Sequence, residues 1–382
     1  MFTVVNGWER AEYFKPTPGF EVTHGFQFDE AFDVVAREVK AVQTGVGLAE
    51  VNGFNRIEIT GPDAHRFLDH VICGRVTRKE GKVGLGYLLK DHGCVKAEAT
   101  VANIPGGPVW YGSAAAAEWH DMDWLRAHSD GFDVSFQSLT NDWTILVLAG
   151  PKAREVLAAA SRGDWSAEAF PWLSVRRAFV GIAPAVVMSV SFSGELAYEI
   201  HVPNNQLYAA YLALRAAGEG HGLRLFGARA VESMRMEKGY LHWKADLITE
   251  FDPFETGLDR FVKMDKDFVG KAAFAARQAK GPTRKLVSLG IDSTTSHAHP
   301  GASVMLDDKV VGTVTSGDWG HRVGMNLAYA FVMPELAAQG TEITVDMLGE
   351  LVPCRGIAPG PNDTGATRPR GEARSAGSSG IV

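Results

Sequence analysis

Residues 191–202 read SFSGELAYEIHV. Side chains alternate along an extended strand. Leu196, Tyr198, Ile200 and Val202 therefore share one face, and Glu195, Ala197, Glu199 and His201 the other. The first face is apolar throughout, as a strand over a core requires. The second carries two carboxylates and a histidine, which suits either water or a ligand site. Upstream, AVVMSVSF is a second strand, and Ser193-Gly194 supplies the turn of an antiparallel hairpin. An antiparallel pair set among helices points to an α+β protein.

Outward from this hairpin the same texture repeats. FDEAFDVVAREVKAV carries apolar residues at helical spacing, and RIEIT alternates as a strand before GPD and the helix AHRFLDHVI. VGLGYLLK and VKAEATVANI read as strands joined by the turn DHGC, and WTILVLAG runs into the helix PKAREVLAAA. After the hairpin come the helices NQLYAAYLALRAAGEGHG, ARAVESMRMEK, with Gly239 as its stop, and FVGKAAFAARQAK. Beyond GPTRK the pattern becomes short strands and turns, as in a small barrel. The opening VNGWERAEYFKPTPGF reads as a covering segment without regular structure. The tail from Pro359, rich in Gly, Pro, Ser and charge, reads as disordered. The expected organisation is two mixed α/β subdomains in residues 1–280, a barrel in 281–358 and a tail in 359–382.

The 382 residues are 46% hydrophobic and 22% charged, the balance of a soluble globular chain. A net charge of −7 argues against general nucleic-acid or anionic-membrane binding. Three scattered cysteines suit a reducing compartment, and no long apolar run or leader stands out, so the expected address is cytoplasmic. No dinucleotide fingerprint, P-loop, zinc-protease motif or nucleophile elbow occurs. HAHP at 297–300 lacks a third convergent ligand, so no metal is expected and the loop reads as solvated.

Glu195 and Glu199 lie roughly 13 Å apart along a strand, too far for an acid–base pair. A lone carboxylate in a pocket serves recognition, since it accepts two parallel N–H bonds. The segment 226–274 gives that role a context. Arg235-Met236-Glu237-Lys238-Gly239, then Pro253-Phe254-Glu255-Thr256-Gly257-Leu258, then Lys266, Phe268, Gly270, Lys271 and Ala273 resemble consecutive blocks of the glycine-cleavage T-protein (aminomethyltransferase) family. SFSGELAYE upstream and VGTVTSGDWG downstream are similar to two further blocks in the family order. The resemblance covers residues 28–358. VNGWERAEYFKP, GPDAHRFLDHVICGRV and MRMEKGYLHW are most similar to the folate-binding C-terminal half of dimethylglycine and sarcosine dehydrogenases, with the flavin half missing.

The resemblance implies tetrahydrofolate as cofactor, with no FAD or NAD domain in this chain. It implies Glu199 as the carboxylate that holds the pterin's amino-pyrimidine edge, with Glu195 structural or at the rim. Phe192 stands at a family tyrosine position and would wall the pterin. Arg235 either lies near the folate or pairs with Glu232 three residues earlier. Glu98, in Gly93-Cys94-Val95-Lys96-Ala97-Glu98, takes the place of the family's functional aspartate and would orient the amine and assist proton movement. Glu50-Val51-Asn52-Gly53 replaces the family's Asp-Val-Ser-His.

The expected function is a tetrahydrofolate-dependent one-carbon transferase acting in demethylation of an N-methyl compound such as dimethylglycine or sarcosine, with a separate flavoprotein as partner. The alternatives are a stand-alone demethylase of an onium substrate and a non-catalytic folate-binding subunit. The chain also reads as a possible half of a larger enzyme.

Overall fold

A computed structural model of the chain describes residues 1–5, 7–114 and 117–371. Two antiparallel sheets dominate it. The six-stranded sheet runs, in spatial order, through Val175–Val180, Ala183–Met188, Ala197–Pro203, Trp143–Ala149, Gly47–Val51 and Arg224–Leu225. Its one parallel pairing joins Arg224–Leu225 to Gly47–Val51. The five-stranded sheet runs through Val83–Leu89, Val95–Asn103, Val109–Ala114, Phe54–Thr60 and Ser135–Ser138.

Alternation decides what each face covers. Leu196, Tyr198, Ile200 and Val202 are buried together against the helices Ala153–Ala160 and Leu207–Gly218, as the opening sequence pattern requires. Ile57, Ile59, Ala97, Ala99 and Val101 of the other sheet pack on the helices Ala64–Val71 and Glu118–Ala127. The opposite faces meet each other: Val83, Ala102 and Trp110 of one sheet join Val175, Val186 and Met188 of the other in a single cluster. Helices therefore lie outside and the two sheets inside.

Six strands between Lys285 and Ile357 close into a barrel. Met236 and Leu241 pack on barrel residues Leu327 and Tyr329, and the Tyr329 hydroxyl donates to the Met236 carbonyl at 2.5 Å. The helix Ala228–Lys238 thus fastens the barrel to the rest. It stops at Gly239, whose φ of +79° continues no helix. Among the described residues no helix is long and apolar enough to cross a membrane.

Two family-like positions prove to be fasteners. Lys266 donates to the carbonyls of Asp69, Ile72 and Gly74, closing the C-terminal end of the Ala64–Val71 helix. Gly93, at φ +85°, brings the DHGC turn against the last helix before the barrel. A Cβ there would lie 2.6 Å from the Phe274 nitrogen.

Three expectations need correction. The first residues form a hairpin, Phe2–Val5 with Trp8–Ala11. Strands of four residues are too short for alternation to announce them. His297 is not solvated but packs on Phe28 and His299, and burial pushes its imidazole down to about 4. Of the tail expected to be disordered, residues 359–371 are placed. Asp363 accepts from the Thr367 hydroxyl at 2.6 Å and pairs with Lys238, and Arg368 pairs with Glu195 at 2.8 Å. Those partners lie 125 and 173 residues away in sequence, beyond the reach of composition. Residues 372–382 lie outside the described residues.

Candidate active site

Glu199 sits in the Ala197–Pro203 strand, opposite Met188 on one side and Val147 on the other. Met188 belongs to the layer between the sheets, so Glu199 faces that layer too. Its side chain keeps 30% exposure while its strand neighbours Tyr198 and Ile200 are sealed. The carboxylate thus stays partly open to solvent on the face turned towards the other sheet. His201, next on the same face, is buried.

Arg56 arrives from the other sheet. Its Nη2 lies 2.5 Å from His201 Nδ1, and its guanidinium sits over Trp110, 5.2 Å from the ring centre. Burial lowers the Arg56 guanidinium to about 10, which still leaves it cationic at neutral pH. Burial and the neighbouring Arg56 push the His201 imidazole down to about 4 against the opposing pull of Glu199. His201 is therefore neutral at pH 7. Its Nε2 lies 3.3 Å from Glu199 Oε2, within reach but off the hydrogen-bond line. Neither His201 Nε2 nor Arg56 Nη1 has a hydrogen-bond partner.

Glu98 lies in the Val95–Asn103 strand, on the face shared with Ala102 and so towards the same layer. Tyr87, directly opposite in register, donates its hydroxyl to Glu98 Oε1 at 2.7 Å. Burial pushes the Glu98 carboxyl up to about 7, against the lowering effect of that hydrogen bond. A carboxyl that titrates near neutrality can hold or accept a proton under working conditions. Neither Arg56 nor Tyr87 was singled out from sequence. Arg56 is one residue of an ordinary strand run, and Tyr87 acquires meaning only once the register is known.

Phe192, at the hairpin, is 37% exposed and lies parallel to Tyr240, with ring centres 6.1 Å apart and planes 12° apart. An exposed aromatic face beside the Glu199 strand can wall a flat ligand.

Arg235 is different. Its side chain is fully buried, and its guanidinium donates to Asp246 at 2.6 Å, Ser316 at 2.8 Å, the Tyr240 carbonyl at 3.1 Å and Glu232. It takes part in an ion-pair network between helix and barrel, the second of the two roles open to it from sequence. Asp246, Glu232, Ser316 and the Tyr240 carbonyl take up both of its terminal nitrogens, while Nε has no partner. Glu195 is likewise buried between Arg322 and Arg368, each at 2.8 Å. Among the described residues no three His, Cys, Asp or Glu side chains gather so as to hold a metal ion.

Comparison with known proteins gives a consistent result. Residues 1–266 match the family model described as the GCVT N-terminal domain, and residues 284–361 match the glycine cleavage T-protein C-terminal barrel domain. The mitochondrial dimethylglycine dehydrogenase of Rattus norvegicus is 32% identical over 352 residues, covering 91% of this chain and 41% of the relative. This chain thus spans about two fifths of that protein's length. An aminomethyltransferase of Desulfitobacterium hafniense (strain Y51) is 26% identical over 334 residues, covering 87% of this chain and 90% of the relative. The crystal structure of the glycine cleavage system aminomethyltransferase T from Bartonella henselae has the same fold. Its TM-score is 0.82 at 21% identity, covering 95% of this chain and 94% of that one.

Proposed function

This chain belongs to the glycine-cleavage T-protein family, the tetrahydrofolate-dependent aminomethyltransferases, and we propose that it passes a one-carbon unit from an N-methyl compound to tetrahydrofolate. The single observation that carries the reading is the Glu199 carboxylate, 30% exposed on the face turned towards the other sheet, with the buried His201 and Arg56 behind it and Arg56 Nη1 without a protein partner. That set fits a pterin. The amino-pyrimidine edge offers two parallel N–H groups to a carboxylate, and Arg56 Nη1, a buried donor without a partner, can serve an acceptor atom on the same ring.

Tetrahydrofolate supplies the nucleophilic nitrogen that takes the one-carbon unit. The chain's own part is binding, orientation and one proton. Glu199 fixes the ring edge and Phe192 walls its face. Glu98, with Oε1 occupied by Tyr87, presents its other oxygen to the amine and takes up or returns a proton there. Since its carboxyl titrates near 7, both protonation states are populated. The similarity to dimethylglycine dehydrogenase supports an N-methylated amino acid such as dimethylglycine or sarcosine as source of the unit. The similarity to sarcosine oxidase subunit alpha of Rhizobium meliloti (strain 1021), 31% identical over 340 residues, supports a flavoprotein as the oxidising partner.

The test is calorimetric titration of the chain with tetrahydrofolate, beside Glu199→Gln. Binding should weaken by about 1–3 kcal/mol in the variant, the scale of a lost charged hydrogen bond. Wild-type protein that binds no tetrahydrofolate would remove the reading.

A further inference from the structure

The layer between the sheets holds a cation with no adjacent counter-charge. Arg56 is buried, yet among the described residues no carboxylate forms an ion pair with it. A buried guanidinium without compensation is costly. Glu58, two residues along the same strand face, is engaged by the Trp110 indole N–H at 3.3 Å. The negative charge that Arg56 senses is Glu199, which raises its basicity against burial. Between the two stands His201, 2.5 Å from Arg56 and 3.3 Å from Glu199.

We propose that Arg56 and His201 are positioning residues for Glu199, forming a relay across the two sheets that orients the carboxylate and supplies its counter-charge. The chemistry follows from valence. Arg56 can only donate, so His201 Nδ1 must accept, and the neutral ring must carry its proton on Nε2. That N–H faces Glu199 Oε2. A small turn of the carboxylate aligns it, leaving Oε1 and the second lone pair of Oε2 for a ligand's N–H groups. Trp110, over the guanidinium and 5.9 Å edge-on to the His201 ring, keeps water from competing for either bond. The relay spans 145 residues of sequence and ties both sheets to one ligand atom. Anything that shifts one sheet on the other will move the carboxylate.

This inference rests on the folate reading of Glu199, and the experiment separates the two. Nitrogen-15 NMR of the ligand-free protein reports the His201 tautomer. The relay requires a neutral ring protonated at Nε2 at pH 7, and loss of that fixed tautomer in Arg56→Met. Tetrahydrofolate titrations then compare wild type with Arg56→Met and His201→Leu, both checked for folding by circular dichroism. Each should bind about tenfold or more weakly. The conservative variants Arg56→Lys and His201→Gln, which keep a donor at each place, should recover most of the affinity. A proton on Nδ1 in the wild type would overturn the relay, whether or not any variant folds. So would folded variants that bind within twofold of the wild type. A wild type that binds no folate, with the Nε2 tautomer present, would remove the folate reading alone.

Discussion

Two buried charge clusters in this molecule are built from the same residue types and have opposite character. At the junction of helix Ala228–Lys238 with the barrel, Arg235 and Arg322 are surrounded. Arg322 pairs with Glu195 at 2.8 Å and with Glu237, and also donates to the Met234 carbonyl at 2.5 Å. Between the sheets, the Arg56 side chain bonds to His201 and lies over Trp110, its Nη1 has no partner, and Glu199 stays 30% exposed. The first cluster buries both guanidinium groups, with Arg235 Nε left unpartnered, and fastens parts of the fold. The second is open to solvent at Glu199. Each cluster holds a buried guanidinium nitrogen without a partner, so what separates them is access: a carboxylate that reaches solvent beside a buried cation is a better sign of a binding site than charge itself.

The difference can be broken most severely at the first cluster. Arg322→Met would leave Glu237 buried with its cation gone and Glu195 with Arg368 alone. Urea denaturation should show a loss of about 3–5 kcal/mol, the scale for a severed buried pair. A loss under 1 kcal/mol would mean that water enters the cluster.

The open cluster has a different weakness, towards acid. His201 titrates near 4 when folded against 6.5 in the unfolded chain. The unfolded chain therefore takes up a proton first as pH falls. Stability is full above about pH 6.5 and drains as pH approaches 4. A shift of this size makes His201 alone responsible for about 3 kcal/mol. His201→Gln should flatten the fall in stability between pH 7 and 4.5, and an equally steep fall in that variant would assign it elsewhere, to His297 or His321, which burial also pushes down to about 4.

The smallest effect sharpens the comparison at Glu98. Tyr87→Phe removes the hydrogen bond that holds its carboxyl down, so the pKa should rise from about 7. If Glu98 accepts the proton, the rise of kcat/KM with pH should move alkaline by roughly half a unit to one unit. An unmoved profile would show that some other group titrates.

Much of the fold was legible because it depends on local periodicity. The apolar alternation of Leu196, Tyr198, Ile200 and Val202 placed a strand over a core, and that core is where the pattern puts it. The same alternation put Glu199 on the other face. Helix Ala228–Lys238 and its stop at Gly239 followed from spacing and a left-handed glycine. The short N-terminal strands and the anchored part of the tail were not legible, since both depend on partners rather than pattern.

The sequence by itself determined which residues could share a face, because backbone geometry ties side-chain direction to position along a strand or helix. Only the tertiary structure decided what each shared face would meet. Arg235 and Glu199 stand on neighbouring segments and carry equally plausible ligand chemistry. One met Asp246, Ser316 and Glu232 and is fully buried, while the other kept access to solvent. A charged side chain acquires its role from the groups that desolvate and pair with it, and those come from segments far away along the chain.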